Sequence, residues 1–227
     1  DDLRLVISDM DGTLLDGDGN IPSQLWPLLE TMKDRDIAFV PASGRQCTTL
    51  STMFHSHLQG MPIIAENGTY VVRDGIDISS SLIDPNLAHE VITGVRQLRD
   101  DGHDVGLVVD TKSMAYLERG DDPFVSHVAT YYHSHTVVKD LTEHTDNVIK
   151  LSIYDFDEAS DTTHPTMQRI AREHQVILAT PNWVDIMNPG VNKGSAVEAV
   201  QRDLGVTAGQ TAIFGDFLND LEMMPLA

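Results

Sequence analysis

Apolar residues are grouped along this chain in short runs that are separated by turn signals. Residues 3–8 form a β-branched run typical of a buried strand, and residues 37–40 and 210–214 have the same character. A helical pattern begins near Ser23, and another covers residues 193–204. Strands that alternate with helices predict βαβ units. We therefore expect an α/β fold with a doubly wound, Rossmann-like core built on a parallel sheet.

The middle of the chain has a different pattern. A predicted helix at 86–100 is followed by strand-like segments, which are 104–109, 114–117, 137–138 and 148–154. After the Asn-Pro-Gly turn at 188–190, the first pattern returns. We predict a core of residues 1–78 and 182–227, with an α/β cap domain inserted at 79–181 that determines substrate specificity.

Composition narrows the function classes. The 227 residues carry a formal net charge of −20, and such a surface repels nucleic acid. No segment is apolar enough to predict a membrane span, and no membrane partner is expected. Cys47 is the only cysteine, so a disulfide framework is excluded. We predict a cytoplasmic protein.

The strongest chemical signal is the motif Asp9-Met10-Asp11-Gly12-Thr13, which directly follows the first apolar run. The carboxyl end of a parallel strand is where doubly wound folds bind ligands. Two carboxylates in one partly dry site repel each other, and a hard cation such as Mg²⁺ relieves that repulsion. A carboxylate is also a covalent nucleophile toward phosphorus. The alternative interpretation of this motif alone, an Asx-turn leading into a glycine turn, stays open.

Three further motifs follow predicted strands or open a predicted helix, and each has a simpler interpretation. A hydroxyl and an N–H at Ser43-Gly44-Arg45 suit a phosphate oxygen, although a plain helix cap explains them too. Lys193 is poorly placed for the helix dipole unless an anion lies nearby, and the alternative is a solvated lysine. The acidic segment 215–220 suits a metal, or it is a favourable acidic helix start.

Taken together and in this order, the four motifs resemble the haloacid dehalogenase superfamily of phosphohydrolases, and in detail its Cof-type branch (subfamily IIB). The resemblance is carried by these phrases: residues 9–15, Ser43-Gly44-Arg45, Glu66-Asn67-Gly68, Asn192-Lys193-Gly194 and residues 215–220. It implies a Mg²⁺-dependent phosphomonoesterase that hydrolyses a small phosphorylated metabolite, such as a sugar phosphate or a phosphorylated coenzyme, through an aspartyl-phosphate.

The resemblance also implies a role for each matching residue. Asp9 is the nucleophile, and Asp11 is the general acid and then the base. The expected metal residues are Asp9, Asp11 (through its backbone carbonyl), Asp216 and Asp220. The expected phosphate-binding residues are Ser43, Gly44, Lys193 and Asn219.

Two other functions remain open on sequence grounds. A phosphomannomutase-like phosphotransferase uses the same nucleophile, so only the product separates it from a phosphatase. A phospho-Asp receiver-type signalling domain also combines acidic residues, a hydroxyl and a lysine. The long insertion and Gly12-Thr13 argue against a receiver, which is usually a single compact domain of roughly half this length.

Other polar residues have a weaker case. Lys150 lies in a predicted strand, where it either contacts substrate or sits on an exposed face. The paired histidines His55/His57 and His133/His135 lack further metal ligands at the usual spacing, so we interpret them as surface residues. The family pattern continues beyond the fourth motif with at least one strand and helix, and this sequence ends at Ala227. We therefore expect an uncovered sheet edge or apolar face.

Overall fold

The computed structural model of the protein describes residues 2–227. The chain forms two compact units, one that runs to Ser80 and resumes at Gly190, and one that spans Ser81–Pro189. Within residues 2–227, twelve strands and six α-helices follow in this order: β1 (Leu5–Asp9), α1 (Leu25–Asp34), β2 (Ala38–Ala42), α2 (Cys47–Met53), β3 (Ile63–Ala65), β4 (Tyr70–Arg73), β5 (Ile76–Ser80), α3 (Pro85–Asp100), β6 (Val105–Thr111), β7 (Ala115–Leu117), α4 (Asp122–Tyr131), β8 (His135–Val137), β9 (Val148–Asp155), α5 (Thr163–Ile170), β10 (Gln175–Leu178), β11 (Trp183–Met187), α6 (Lys193–Leu204) and β12 (Thr211–Phe214).

The first unit is built on a mixed sheet with the strand order β12-β1-β2-β3-β4-β5. The strands β12, β1, β2 and β3 are parallel, while β4 and β5 add an antiparallel hairpin. Buried aliphatic side chains of β1, β2 and β3 pack against Ala196, Val197 and Val200 of α6. This packing fixes the start of α6 against the sheet.

The register of the parallel strands aligns their carboxyl ends. Ser8 lies opposite both Phe214 of β12 and Pro41 of β2, and Asp9 lies opposite Ala42. Whatever follows these three strands therefore lies at one edge of the sheet, as the sequence predicted.

The proline in β2 corrects one expectation. The apolar run at residues 37–40 indicated a strand that ends before Pro41, but β2 continues through Pro41 to Ala42. The strand β3 is in register with β2 only through Ala42 and Ile64. A residue without an N–H is therefore tolerated at position 41, because no β3 residue is paired with it there.

The second unit has a sheet of order β10-β11-β9-β6-β7-β8, antiparallel except for the pair β7 and β8. One face carries an aliphatic core shared with α3 and α5, to which Val91, Val109 and Ile153 belong. On the other face, Phe124 and Val128 of α4 pack against Val108 and Leu117. The middle of the chain is thus mixed α/β.

The boundaries of the units differ from the expected ones. The first unit extends to Ser80 rather than residue 78, because β5 completes its sheet. The second unit extends to Pro189 rather than residue 181, because β11 pairs with β9.

An uncovered edge and exposed apolar side chains are present in the first unit. The strand β12 is the terminal strand of its sheet. After it, Phe217, Leu218 and Leu221 are each at least 60% exposed.

Candidate active site

The candidate site lies at the carboxyl ends of β12, β1 and β2. Asp9 is the last residue of β1, Ser43 directly follows β2, and Gly215-Asp216 directly follows β12. Because these strands are parallel and in register, motifs that are about 200 residues apart in sequence meet at one sheet edge.

A buried ion-pair cluster forms the centre of the site. The Lys193 ammonium donates to Asp9 Oδ1, and it also donates to Asp220 Oδ1 over 2.6 Å. All three side chains are almost fully buried. Burial raises the pKa of the Asp9 carboxyl, and the Lys193 ammonium acts in the opposite direction. The lysine therefore helps to keep Asp9 ionised in a dry environment.

The position of Lys193 excludes the simpler interpretation of this residue. A solvated lysine was the alternative, but Lys193 is only 1% exposed. Its helix begins with a capping box, in which Asn192 Oδ1 accepts from Ser195 N over 2.8 Å and Ser195 Oγ accepts from Asn192 N over 3.1 Å. This cap fixes the first turn of α6 and directs the lysine inward.

Both carboxylate oxygens of Asp220 accept hydrogen bonds. Besides Lys193, it accepts the backbone N–H groups of Asp216 and Phe217 through Oδ2, over 3.0 and 3.2 Å. The carboxylate thereby closes the turn after β12. An acidic helix start, the simpler interpretation of this segment, does not account for the bond to a buried lysine.

Asp216 is more exposed and lies close to the first motif. Its Oδ1 accepts from the Thr13 hydroxyl over 2.9 Å. Gly12 has a φ of 89°, and a Cβ built on it would lie 2.9 Å from Asp216 Cγ. A side chain at position 12 would therefore displace Asp216, which explains the glycine.

Three carboxylates come together as a candidate metal centre. One oxygen each of Asp9, Asp216 and Asp220 lies within 4.8 Å of the others. Hard carboxylate oxygens are the ligands that Mg²⁺ prefers. The donor set therefore fits the predicted ion, although two of the three residues also bond Lys193.

The Asp11 side chain does not belong to this cluster. Its carboxylate is 60% exposed and forms a two-pronged pair with Arg45, with Nε–Oδ2 at 2.9 Å and Nη2–Oδ1 at 2.6 Å. The pair raises the pKa of the guanidinium. Four residues were expected at a metal. The carboxylates of Asp9, Asp216 and Asp220 lie together, and the carboxylate of Asp11 lies outside this group.

The other predicted phosphate-binding residues line the same edge. Ser43 is buried, and its hydroxyl oxygen accepts from Arg45 N over 3.1 Å. Asn219 is exposed and donates from Nδ2 to Asn67 Oδ1 over 3.2 Å. The amide group of Asn67 lies against Gly44. The four predicted phosphate-binding residues are therefore brought to one region of the first unit.

Sequence reasoning gave no role to three residues that contact the site. Thr13 bonds Asp216, Arg45 bonds Asp11, and Asn67 bonds Asn219. All three belong to phrases that carried the family resemblance. Membership of these phrases was the sequence signal that could have pointed to the three residues. Their bonding partners could not be predicted, because each lies at least 34 positions away in the sequence.

Polar residues outside the site have structural partners. Lys150, for which an exposed face was the alternative, is buried, with its ammonium 5.1 Å from the centre of the Tyr132 ring and 3.9 Å from Asp110. His57 pairs with Glu30, and His135 contacts the carbonyl of Tyr132. Within the part of the chain that the structure describes, the histidines join no metal-ligand group.

Helices of the described chain, residues 2–227, are all too short or too polar to cross a bilayer.

Comparison with known proteins places the chain in a family. A family model described as haloacid dehalogenase-like hydrolase matches residues 6–227. The 5-amino-6-(5-phospho-D-ribitylamino)uracil phosphatase of Escherichia coli is 27% identical, over 98% of this chain and 82% of the relative. The HMP-PP phosphatase of Cronobacter sakazakii is 26% identical, over 99% of this chain and 81% of the relative.

Solved structures show the same fold. A haloacid dehalogenase-like hydrolase from Bacteroides thetaiotaomicron superimposes with a TM-score of 0.87 at 20% identity, covering 99% of this chain and 86% of that one. The predicted fold class, a doubly wound α/β core with an inserted α/β part, is confirmed. The chain belongs to the haloacid dehalogenase-like hydrolase family, and it is an enzyme of the phosphatase class that its motifs predict.

Proposed function

We propose that this chain is a Mg²⁺-dependent phosphatase that hydrolyses a small phosphorylated metabolite in the cytoplasm through a phosphoryl-Asp9 intermediate. The observation that carries the proposal is the Asp9 carboxylate. It lies at the end of β1, is held by the buried ammonium of Lys193, and shares an acidic cluster with Asp216. Buried carboxylates with a specific charge partner are concentrated at functional sites.

The substrate class follows from the relatives. One is named as the phosphatase of a phosphorylated ribitylamino-uracil and another as a phosphatase of HMP-PP. Both names describe small phosphorylated compounds. A sugar phosphate or a phosphorylated coenzyme is therefore the substrate class that we propose, and residues 81–189 are proposed as the specificity-determining cap.

In the first proposed step, an Asp9 carboxylate oxygen attacks phosphorus. The bond from phosphorus to the leaving oxygen breaks, and Asp11 donates a proton to that oxygen. In the second step, water attacks phosphorus while Asp11 accepts its proton. The bond from phosphorus to the Asp9 oxygen then breaks, which releases inorganic phosphate and regenerates the carboxylate.

The pair with Arg45 has a consequence for this scheme. Both carboxylate oxygens of Asp11 accept hydrogen bonds from Arg45, so in this arrangement neither oxygen is free to serve a leaving group. Before Asp11 acts as the acid, at least one of its two hydrogen bonds to Arg45 must therefore break, either because Asp11 moves away or because the guanidinium turns to the substrate.

Charge neutralisation is the main requirement of phosphoryl transfer. Lys193, the Ser43 hydroxyl, the Gly44 backbone and the Asn219 amide are the proposed ligands of the phosphoryl oxygens. Asp9, the Asp11 carbonyl and Asp216 would hold Mg²⁺, with Asp220 fixing their surroundings. When bound, the ion supplies positive charge that offsets the repulsion between the anionic substrate and these carboxylates.

The test is phosphate release from p-nitrophenyl phosphate and a panel of sugar and coenzyme phosphates, with and without Mg²⁺. We expect Mg²⁺-dependent release that Asp9→Asn abolishes. Asp34→Asn, which removes an exposed carboxylate at the end of α1, is the matched control and should leave activity unchanged.

Product analysis separates the other candidates. Transfer of the phosphoryl group within a sugar would identify a mutase. A stable phospho-Asp9 without turnover would identify a receiver. A folded protein that binds Mg²⁺ but releases phosphate from no substrate would refute the phosphatase.

A further inference from the structure

The loop between β3 and β4 has an unusual backbone. φ is 53° at Glu66, 55° at Asn67 and 97° at Gly68, so three consecutive residues are left-handed. Residues other than glycine seldom adopt this conformation, although asparagine tolerates it better than most. Such strain persists only where the surroundings impose it, and it is concentrated at functional sites.

This loop is bonded to the segment that follows β2. Asn67 N donates to Ser43 O over 2.9 Å, and Glu66 N donates to Arg45 O over 3.0 Å. A Cβ built on Gly44 would lie 3.1 Å from Asn67 Nδ2 and 3.2 Å from its Oδ1. The side-chain amide of Asn67 thus lies directly against the Gly44 backbone.

The same loop contacts the two remaining phosphate-binding segments. Asn67 Oδ1 accepts from Asn219 Nδ2 over 3.2 Å. A Cβ on Gly68 would lie 2.7 Å from the carbonyl carbon of Asn192, the residue immediately before Lys193. Three segments that are distant in sequence therefore meet on residues 66–68.

We propose that Asn67 is a positioning residue for the phosphoryl group. Its amide oxygen orients the Asn219 side chain, and its amide group fixes Gly44 at the end of β2. Asn67 acts through these residues and is not a catalytic residue. The inference rests on the proposed phosphatase function and adds a residue to it.

The chemistry of Asn219 explains why its orientation matters. An asparagine amide nitrogen carries two N–H donors, and one of them is bonded to Asn67. The second N–H is left for a phosphoryl oxygen. An Asn219 that rotates freely loses this pre-organisation, so substrate binds more weakly while the reaction at Asp9 is nearly unaffected.

Asn67→Gly tests the inference, because glycine keeps the left-handed backbone and removes only the amide. We expect KM for p-nitrophenyl phosphate to rise about five- to tenfold, the size of one lost hydrogen bond, with kcat changed by less than about twofold. The Kd of inorganic phosphate with Mg²⁺ should rise by the same factor, and the melting temperature should stay within about 2 °C.

Asp36→Gly is the matched control. Asp36 is also a left-handed residue, with φ 55°, but it is exposed in the turn between α1 and β2, before the amino end of β2. This substitution should change neither KM nor the phosphate Kd.

A double-mutant cycle tests whether Asn67 acts through Asn219. If it does, the effects of Asn67→Gly and Asn219→Ala on KM are not independent, and the double variant raises KM by clearly less than the product of the two single effects. Fully additive effects, or an unchanged KM in an active Asn67→Gly, overturn this inference and leave the phosphatase intact. A wild-type protein that neither releases nor binds phosphate overturns both.

Discussion

Lys193 gives an acidic protein the local positive charge that an anionic substrate requires. The chain carries a formal net charge of −20, yet this ammonium lies buried between the carboxylates of Asp9 and Asp220. Removing one partner from such a cluster leaves the remaining charges buried and unpaired, which is the costly case for buried ions.

Lys193→Met retains much of the apolar stem and removes the charge. We expect it to lower the free energy of unfolding of the metal-free protein by about 3–5 kcal/mol at about pH 8, because two buried carboxylates lose their cation. The loss should shrink as the pH falls. Burial already raises the pKa of Asp9 above 3.8, and losing Lys193 raises it further. The folded state then binds a proton more tightly than the unfolded state, so lowering the pH toward 3.8 restores stability.

Urea unfolding in EDTA at several values between about pH 5 and pH 8 measures this effect. Lys33→Met on the exposed side of α1 is the control and should show no such pH dependence. A stability loss in Lys193→Met that is independent of pH would contradict the role assigned to the carboxylates.

At the residue scale, the sequence predicted which side chains meet but not how they bond. Asp9, Ser43 and Asp216 were predictable because each follows an apolar strand, and parallel strands end at one edge. The pair between Asp11 and Arg45 was not, because a bond across 34 positions depends on side-chain conformation in the finished fold. The buried state of Lys193 likewise depends on the packing of α6.

At the scale of elements, periodicity predicted long segments and missed short or unpatterned ones. The helices α3 and α6 agree with expectation within about one residue, since both are amphipathic and have clear caps. The segment β10–β11 was missed, although β11 joins the second sheet through β9. Short strands with little alternation are defined by their partners, which sequence alone does not supply.

Gly106 in β6 illustrates how one element sets the position of another. A Cβ at this position would lie 2.5 Å from Phe124 Cζ, and Phe124 is the fully buried anchor of α4. We expect Gly106→Ala to lower the free energy of unfolding by about 1–3 kcal/mol, because the added methyl forces the ring off its site. Denaturant titration followed by circular dichroism measures the change.

Gly17→Ala provides the control for this substitution. No atom lies within 4 Å of a Cβ built there, and its φ lies outside the left-handed region. Equal stability of the two variants would show that the packing of the Phe124 ring does not require a glycine at position 106.

At the scale of the whole molecule, the second unit has the features of an independent domain. It is one continuous stretch, Ser81–Pro189, with its own aliphatic core on one face of its sheet and an aromatic cluster on the other. Its ends are joined, because Asn188 Nδ2 donates to Ser81 Oγ over 3.0 Å and to Leu82 O over 2.7 Å. A contiguous insertion with adjacent ends can fold without the chain on either side.

We therefore expect a segment of residues 81–189 to fold alone, with a single cooperative thermal transition by circular dichroism. The matched comparison is residues 79–181, the insertion expected from sequence. That segment lacks β11, so β10 loses its only partner strand among the described residues and the β9 ladder loses one side. Because the missing strand also contributes the core residues Val184 and Ile186, the shorter segment should melt without cooperativity. Equal stability of the two segments would mean that the second unit folds without β11. The domain boundary would then lie at residue 181, as expected from the sequence, and not at Pro189.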